Sequence, residues 1–247
     1  MASRDEIIAW ADELLGLDNH KDYGEMGLQV VGAAEVTKVA CGVSASRELF
    51  ERAVAASAQL VLVHHGIFWR NEPQRIDARM RGRLEVLFAS DMSLAGYHLA
   101  LDAHPELSDS AQLAAELGVE VEGPFETYGV GGTLREPVGV DAFVARAREV
   151  LDREPLVFPS GPETVRRVAI MSGGGGHSLI RAAQQGFDLF LTGEPTEPAL
   201  QTARELGIHF VAGGHYATER RGIQALTRRL AERFELDWEF VEVPNPV

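Results

Sequence analysis

The sequence predicts an α/β fold made of two similar domains that arose by internal duplication, with mostly parallel sheets. The chain has 247 residues, which is enough for two small domains with their own cores. Two apolar runs of strand length, Val36–Val43 and Leu60–Val63, flank an alanine-rich helical stretch at Ser46–Ala56. Strand, helix, strand is typical of parallel pairing. The same order returns later in the chain, at Val165–Met171, Ser178–Gln185 and Phe187–Thr192.

The two copies share residues as well as element order. They align without a gap at an offset of 129 residues, so that Val39 falls on Val168 and Leu60 falls on Leu189. One match between short apolar segments could arise by chance. A second matching segment follows each copy in the same order, and this favours an internal duplication.

The second block aligns at an offset of 117 residues. In it, His98 falls on His215 and Asp102 falls on Glu219. The smaller offset predicts about a dozen extra residues between the two halves of the first copy, around Ile67–Arg79.

The predicted domains are residues 1–123 and residues 124–214. A C-terminal segment, residues 215–247, is expected to pack back on the first domain. The boundary is placed at Gly123 and Pro124, because these residues begin the segment that separates the two copies and favour a turn.

Composition and charge argue against several classes of function. The net charge of −14 disfavours nucleic acid and anionic membranes as partners, since the arginines lie in mixed-charge, helix-like stretches. No apolar stretch approaches the roughly 20 residues of a membrane span. The N-terminus has no signal-peptide core, so a cytoplasmic location is expected. Cys41, the only cysteine, lies in an apolar run and is expected in the core.

Polar residues follow the predicted strands, at the sheet edge where function gathers in open α/β sheets. His64 and His65 end one apolar run, while His98 and His215 each follow another. Adjacent strand residues point to opposite faces, so His64 and His65 are expected to share a site only where the strand has given way to a turn. The His-x-x-x-Asp and His-x-x-x-Glu words could present both groups from one helical turn or from one loop.

Imidazole and carboxylate groups are the ligands expected for Zn, Fe, Mn, Co or Ni. Their number here exceeds what a single zinc ion with an open position needs, and it suits a site for two divalent ions that together activate a hydroxide. The predicted ligands are His64, His65, Asp102, His215 and Glu219.

Three other features leave alternatives open. His98 could be a sixth ligand, or a group that orients Asp102 or handles protons, and the second role is favoured. Glu194 could support the site or simply end a strand. The glycine-rich segment Ser172–Ser178 could bind phosphate, although a tight turn with close backbone packing is favoured. His209 is expected in a loop or on the surface.

Short sequence motifs are spread along the whole chain: Gly27–Val30, Val63–Gly66, Phe68–Trp69, His98, Leu101–Asp102, Leu191–Glu194 and Gly214–Glu219. In this order, they resemble the motifs of the NIF3-like dinuclear metal-binding family, whose members are often labelled GTP cyclohydrolase 1 type 2 homologues. The resemblance implies a toroidal homohexamer and the same five metal ligands, with His98 nearby. Relatives often carry Asp where this chain has Ser44, and Pro-Asn where it has Glu25 and Met26.

Two functions are compatible with these features. The first is a metal-dependent hydrolase of cyclohydrolase type that acts on a small, nucleotide-like substrate, with His98 as a catalytic proton carrier. The second is a non-catalytic metal-binding or regulatory scaffold protein. A ring that clamps nucleic acid is disfavoured by the negative charge.

Overall fold

A computed structural model describes residues 1–247 as two compact units. Unit 1 comprises residues 1–107 and 222–244, and unit 2 comprises residues 108–221 and 245–247. The strands are β1 (Ala2–Ser3), β2 (Gly27–Val30), β3 (Glu35–Val36), β4 (Lys38–Ser44), β5 (Leu60–His65), β6 (Ser93–Gly96), β7 (Val119–Phe125), β8 (Gly129–Gly139), β9 (Leu156–Phe158), β10 (Thr164–Met171), β11 (Leu189–Thr192), β12 (His209–Ala212) and β13 (Asp237–Phe240).

Helices connect the strands in both units. They are α1 (Arg4–Leu15), α2 (Arg47–Ala55), α3 (Ala78–Ala89), α4 (Leu99–Asp102), α5 (Asp109–Leu117), α6 (Val140–Leu151), α7 (Leu179–Gln184), α8 (Ala199–Leu206), α9 (His215–Thr218) and α10 (Arg221–Phe234). Serine and aspartate begin several of them: the Ser46 side chain accepts the Leu49 N–H at the start of α2, and Asp77 does the same for Met80 at α3. No helix is long and apolar enough to cross a membrane.

The sheet of unit 1 has the strand order β13-β4-β5-β6-β2. All neighbours are parallel except β2, which runs antiparallel to β6 at the edge. Helices cover both faces, so the central strand β5 is buried from Leu60 to Val63. Burial on both faces explains why its sequence is continuously apolar rather than alternating.

The sheet of unit 2 has the order β7-β8-β10-β11-β12-β9. Its three central strands, β10, β11 and β12, are parallel, whereas the flanking strands pair antiparallel. The parallel βαβ core that the sequence predicts twice is therefore present in both units. The α/β class is confirmed, and the two similar parallel cores are consistent with a duplication. The expectation of mostly parallel sheets holds in unit 1 but not in unit 2, where three of the five strand pairs are antiparallel because the flanking strands are antiparallel.

Strand register supports the duplication and corrects one equivalence. Val39 pairs with Leu60 in unit 1, and Val168 pairs with Leu189 in unit 2, which reproduces the offset of 129. In the next strand pair the offset is 116 rather than 117, because Val63 pairs with Gly96 whereas Thr192 pairs with Ala212.

The short helices after these strands follow the same offset of 116. The Asp102 N–H donates to the His98 carbonyl, and the equivalent bond runs from the Thr218 N–H to the Gly214 carbonyl. His98 is thus equivalent to Gly214, and His215 lies one residue further along.

The sequence-based boundary at residues 123 and 124 falls inside β7, and the units divide instead between Leu107 and Ser108. The reason is a reciprocal exchange of elements. Helix α5 and β7, which follow the first copy, pack in unit 2, whereas α10 and β13, which follow the second copy, pack in unit 1. Of the C-terminal segment 215–247, residues 222–244 join unit 1, and residues 215–221 and 245–247 belong to unit 2.

Candidate metal centre

Three imidazoles gather at the carboxyl end of the unit 1 sheet. His64 and His65 end β5, and His98 is the N-cap residue of α4, just after β6. One ring nitrogen from each lies within 4.8 Å of the others. His64 is fully buried, while His65 and His98 are half-buried. Such a cluster of nitrogen donors fits a divalent first-row metal ion.

The strand continues through both histidines, contrary to the expectation that it ends before them. His65 still pairs with Ser44 of β4, and the rings of His64 and His65 nevertheless lie 4.7 Å apart between centroids. The two side chains converge at the last two residues of the strand, directly before Gly66. Ser44 also contacts the site, because its Oγ lies 2.9 Å from His65 Nδ1.

Asp102 adds a carboxylate to this cluster. It ends α4, one helical turn after His98, and its Oδ2 lies 3.7 Å from His64 Nε2. Only 9% of the Asp102 side chain is exposed. The His-x-x-x-Asp spacing therefore acts through a short helix, which brings the carboxylate back to the imidazoles.

Asp22, which sequence reasoning missed, orients His98. Its carboxylate lies 2.9 Å from His98 Nδ1 and accepts the Leu99 N–H. Burial raises the pKa of Asp22, but the hydrogen bonds with His98 and with the Leu99 and Tyr23 amides outweigh it, so the pKa is lowered overall. An ionised Asp22 favours the His98 tautomer that carries its proton on Nδ1. The lone pair on Nε2 then faces away from Asp22 and is available to accept a proton or to coordinate a metal ion.

Gln29 braces the turn that follows the two histidines. It is the extra residue of a bulge in β2, and its Oε1 accepts the Ile67 N–H at 2.8 Å. A Cβ on Gly66 would lie 2.2 Å from Gln29 Nε2, and a Cβ on Gly96 would lie 2.9 Å from it. The Gly-Leu-Gln word, which the sequence offered only as a family marker, therefore has a structural role beside the site.

Trp69 closes one side of the imidazole cluster. Its ring centroid lies 5.1 Å from that of His98 in an edge-to-face arrangement, and its Nε1–H donates to the Gly66 carbonyl. Trp69 lies in the long loop between β5 and α3, which corresponds to the extra segment predicted in the first copy.

Unit 2 presents one imidazole between two carboxylates. His215 begins α9, with its Nε2 lying 3.0 Å from Glu219 Oε2 and its Nδ1 lying 2.5 Å from Glu194 Oε1. Burial lowers the pKa of His215, but the interactions with Glu219 and Glu194 outweigh it and raise the pKa to about 9. At neutral pH the cationic imidazole partly neutralises the two acids, a role that a bound metal ion could assume.

The glycine-rich segment Ser172–Ser178 packs closely against Glu219. Gly173 adopts a φ of +60°, and a Cβ at this position would lie 1.9 Å from Glu219 Oε1. The Gly173 N–H donates to Thr218, and its carbonyl accepts the Glu194 N–H. These contacts support the tight-turn interpretation, since the Gly173 backbone accepts the Glu194 N–H and packs against the Glu219 carboxylate.

His209 is not a surface residue. It lies in β12 with 3% of its surface exposed, and its Nε2 lies 2.8 Å from the Pro162 carbonyl oxygen. Its Nδ1 accepts the Gly161 N–H, so both ring nitrogens serve the packing of a neighbouring turn. Cys41 lies in the core as expected, where burial raises the pKa of its thiol to about 12.

The structure thus brings together His64, His65, His98 and Asp102 within unit 1, and His215, Glu219 and Glu194 within unit 2. Each set combines imidazole nitrogen with carboxylate oxygen, which fits a divalent metal ion. The sequence offers all of these residues as site candidates but not Asp22, and it marks Gln29 only as part of a family motif, without a role. Asp22 lies in no such motif, and both residues reach the site from a distant part of the chain.

Comparison with known proteins finds relatives that match along nearly the whole chain. A family model described as Duf34/NIF3 (NGG1p interacting factor 3) matches residues 2–246. A protein of Pasteurella multocida named GTP cyclohydrolase 1 type 2 homolog is 44% identical over 246 residues, covering 95% of this chain and 98% of that protein. An Escherichia coli K12 protein of the same name is 46% identical over 226 residues, covering 91% and 92% of the two chains.

A solved structure described as protein ybgI, of unknown function, superposes with a TM-score of 0.96 at 44% identity and covers 100% of both chains. The family model, the relatives and this superposition each cover nearly the whole chain. The chain belongs to the Duf34/NIF3 family.

Proposed function

We propose that this protein binds two divalent metal ions through His64, His65, Asp102, His215 and Glu219. The observation that carries the proposal is the gathering of three imidazoles, with ring nitrogens within 4.8 Å of one another, at a sheet edge where Asp102 also lies. Unit 2 supports it with His215 and Glu219, whose donor atoms lie 3.0 Å apart. Zn, Fe, Mn, Co and Ni all accept such mixed ligation.

We further propose that the protein is a metal-dependent hydrolase. Bound divalent ions would supply Lewis-acid activation of a carbonyl or phosphoryl group. The chain's own contribution is proton transfer at His98 Nε2, because the Asp22 carboxylate holds the proton on Nδ1. The name that the relatives carry, GTP cyclohydrolase 1 type 2 homolog, suggests a nucleotide-like substrate.

Metal content tests the ligand set. We expect about two ions per chain in the wild type, and fewer in His65→Ala and in Glu219→Ala, which alter units 1 and 2 respectively. The exposed His177, also in unit 2, offers a matched control, and His177→Ala should keep both ions. Two ions retained in both site variants would refute the ligand assignment.

Turnover by the metal-loaded protein tests the catalytic part. Hydrolysis of a nucleotide, a phosphoester or a cyclic amide, lost in His98→Ala while metal is retained, would support the hydrolase. Absence of turnover on all three classes would favour the alternative, a non-catalytic metal-binding or regulatory scaffold protein.

We also propose a homohexameric assembly, as the family resemblance implies, and a cytoplasmic location, as expected from the sequence. Light scattering on the eluted protein would check the assembly, with an expected mass six times that of the chain. The negative net charge of −14 continues to disfavour nucleic acid as a partner of this assembly.

A further inference from the structure

A cavity of about 400 Å³ lies in unit 2, next to the predicted ligand His215. Arg153, Leu156, Glu194 and Gly214 line it, together with the Pro246–Val247 tail. Glu194 links the cavity to the metal ligands, since its Oε1 lies 2.5 Å from His215 Nδ1. The volume is in the range of small-molecule sites, which is roughly 300–1,000 Å³.

Arg153 supplies a positive charge to this cavity. Its guanidinium lies against the backbone of Gly214, where a Cβ would approach Nη1 to 2.0 Å, and Gly214 has a φ of +94°. The guanidinium forms no salt bridge, and its hydrogen bond goes to the Pro246 carbonyl at 3.0 Å. A half-buried cation that contacts a neutral carbonyl would gain from an anionic partner, because hydrogen bonds between ionised groups are roughly twice as strong as neutral ones.

The backbone supplies a second donor to the same tail. The Tyr216 N–H donates to an oxygen of Val247 at 3.0 Å, so Arg153 and Tyr216 bind the oxygens of two consecutive tail residues. A guanidinium and a backbone N–H are both donors that bind phosphate and carboxylate oxygens.

We propose that Arg153 and the Tyr216 N–H form an oxyanion-binding subsite, occupied in this structure by one oxygen each of Pro246 and Val247. A small molecule that carries a phosphate or carboxylate group displaces the tail and docks beside His215. This inference rests on the proposed function, for which it names the substrate class. Glu194 faces the same cavity and would repel an anion, but His215 Nδ1 engages that carboxylate.

Matched pairs of probes test the subsite by calorimetry on the metal-loaded protein. Guanosine monophosphate against guanosine tests phosphate, and N-acetylglycine against its amide tests carboxylate. In the wild type, we expect the charged member of at least one pair to bind about tenfold or more tightly than its neutral partner. Arg153→Ala should abolish this preference, and Arg153→Lys should keep part of it.

Arg148→Ala is the control, because Arg148 lies near Arg153 in sequence, pairs with Glu154 and does not line the cavity. A chain shortened after Pro244 should bind the charged probe more tightly than the full chain, since its tail no longer competes. Equal preference in wild type and Arg153→Ala, no binding by either charged probe, or no gain on shortening would overturn the proposal.

Metal analysis separates this test from that of the proposed function. Arg153→Ala should keep the metal content of the wild type. If the wild type itself holds no metal, the proposed function fails, and the ratio between wild type and Arg153→Ala measured on the metal-free protein still reports on the subsite.

Discussion

The carboxyl ends of the two sheets share a scaffold but present different chemistry. In unit 1, β5 and α4 gather three imidazoles and one carboxylate, whereas in unit 2 the equivalent region places one imidazole between two carboxylates. Val39 pairs with Leu60 in unit 1, and Val168 pairs with Leu189 in unit 2, so the parallel strands of the two units are in equivalent register. The duplicated strands therefore fix where side chains meet, and the loops after them decide which donors are presented.

The groups that position the candidate ligands also differ between the two units. Unit 1 uses side chains, with Gln29 bracing the turn after the histidines and Asp22 orienting His98. Unit 2 uses backbone, with Gly173 packed against Glu219 in a conformation that favours glycine. Side-chain support should tolerate conservative replacement, whereas backbone support should not.

The largest expected effect is at Gly173. In Gly173→Ala, the new Cβ clashes with Glu219 Oε1 and the positive φ adds about 1–3 kcal/mol of strain. We expect loss of metal from the unit 2 ligands and a lower melting temperature. Gly174→Ala is the matched control, because a Cβ there has open space and should change neither measurement. A wild-type metal content in Gly173→Ala would show that the glycine does not position Glu219.

Gln29→Ala should have the next largest effect, confined to unit 1. It removes the acceptor for the Ile67 N–H, and an unsatisfied donor costs about 1–3 kcal/mol when buried. Hydrogen exchange should become faster for peptides around Gly66 and remain unchanged in unit 2. Gln29→Glu keeps the Oε1 acceptor and should recover part of the protection. Equal loosening of both units would contradict a local bracing role.

Asp22→Asn sharpens the role of His98. It keeps the size of the side chain but removes the charge that holds the Nδ1 proton of His98. Turnover of the metal-loaded protein should therefore fall by about 10–100-fold, with a smaller effect on metal affinity, because His98 is not among the five proposed ligands. Titration with Zn²⁺, followed by tryptophan fluorescence, would use Trp69 beside His98 as the reporter. Asp18→Asn alters an exposed carboxylate in the same region and should match the wild type. An unchanged affinity and turnover in Asp22→Asn would show that Asp22 does not control His98.

The smallest effect concerns Asp12 in α1, which accepts the Tyr97 hydroxyl hydrogen at 2.9 Å. Burial raises its pKa above 3.8, the Tyr97 hydrogen bond lowers it, and Asp18 raises it, with a net increase. In the pH range just above 3.8, Asp12 therefore binds more protons in the native state than in the unfolded state. Its contribution to the free energy of unfolding falls as the pH rises through that range. The urea midpoint of Asp12→Asn should fall less with rising pH than that of the wild type. Parallel pH profiles for the two proteins would exclude this contribution.

The sequence predicts the sheet cores well, because Leu60–Val63 and Leu189–Thr192 are buried on both faces and read as continuous apolar runs. It also names the five candidate ligands, since His64 and His65 directly follow one of those runs and the other three lie in or directly after short helices at the ends of neighbouring strands. It misses Asp22, which lies 76 residues from His98, because such contacts depend on the folded path of a loop. The boundary prediction fails because α5 and α10 are exchanged between units, which periodicity does not reveal.

The equivalence of His98 and His215 is also wrong by one residue. A match of His-x-x-x-Asp with His-x-x-x-Glu fits an offset of 117, but strand pairing and helix hydrogen bonds follow 116. Two residues, Gly213 and Gly214, separate the end of β12 from His215, whereas only Tyr97 separates the end of β6 from His98. The duplication therefore does not make His98 the counterpart of His215, and the role of His98 follows instead from its contact with Asp22.

Anomalous diffraction from crystals grown with Mn²⁺ or Zn²⁺ would locate any bound ions together with their ligands. We expect two metal peaks per chain, with His64, His65 and Asp102 of unit 1 and His215 and Glu219 of unit 2 among their ligands. Peaks bound by other residues, or crystals with no peak at either set, would contradict this ligand assignment.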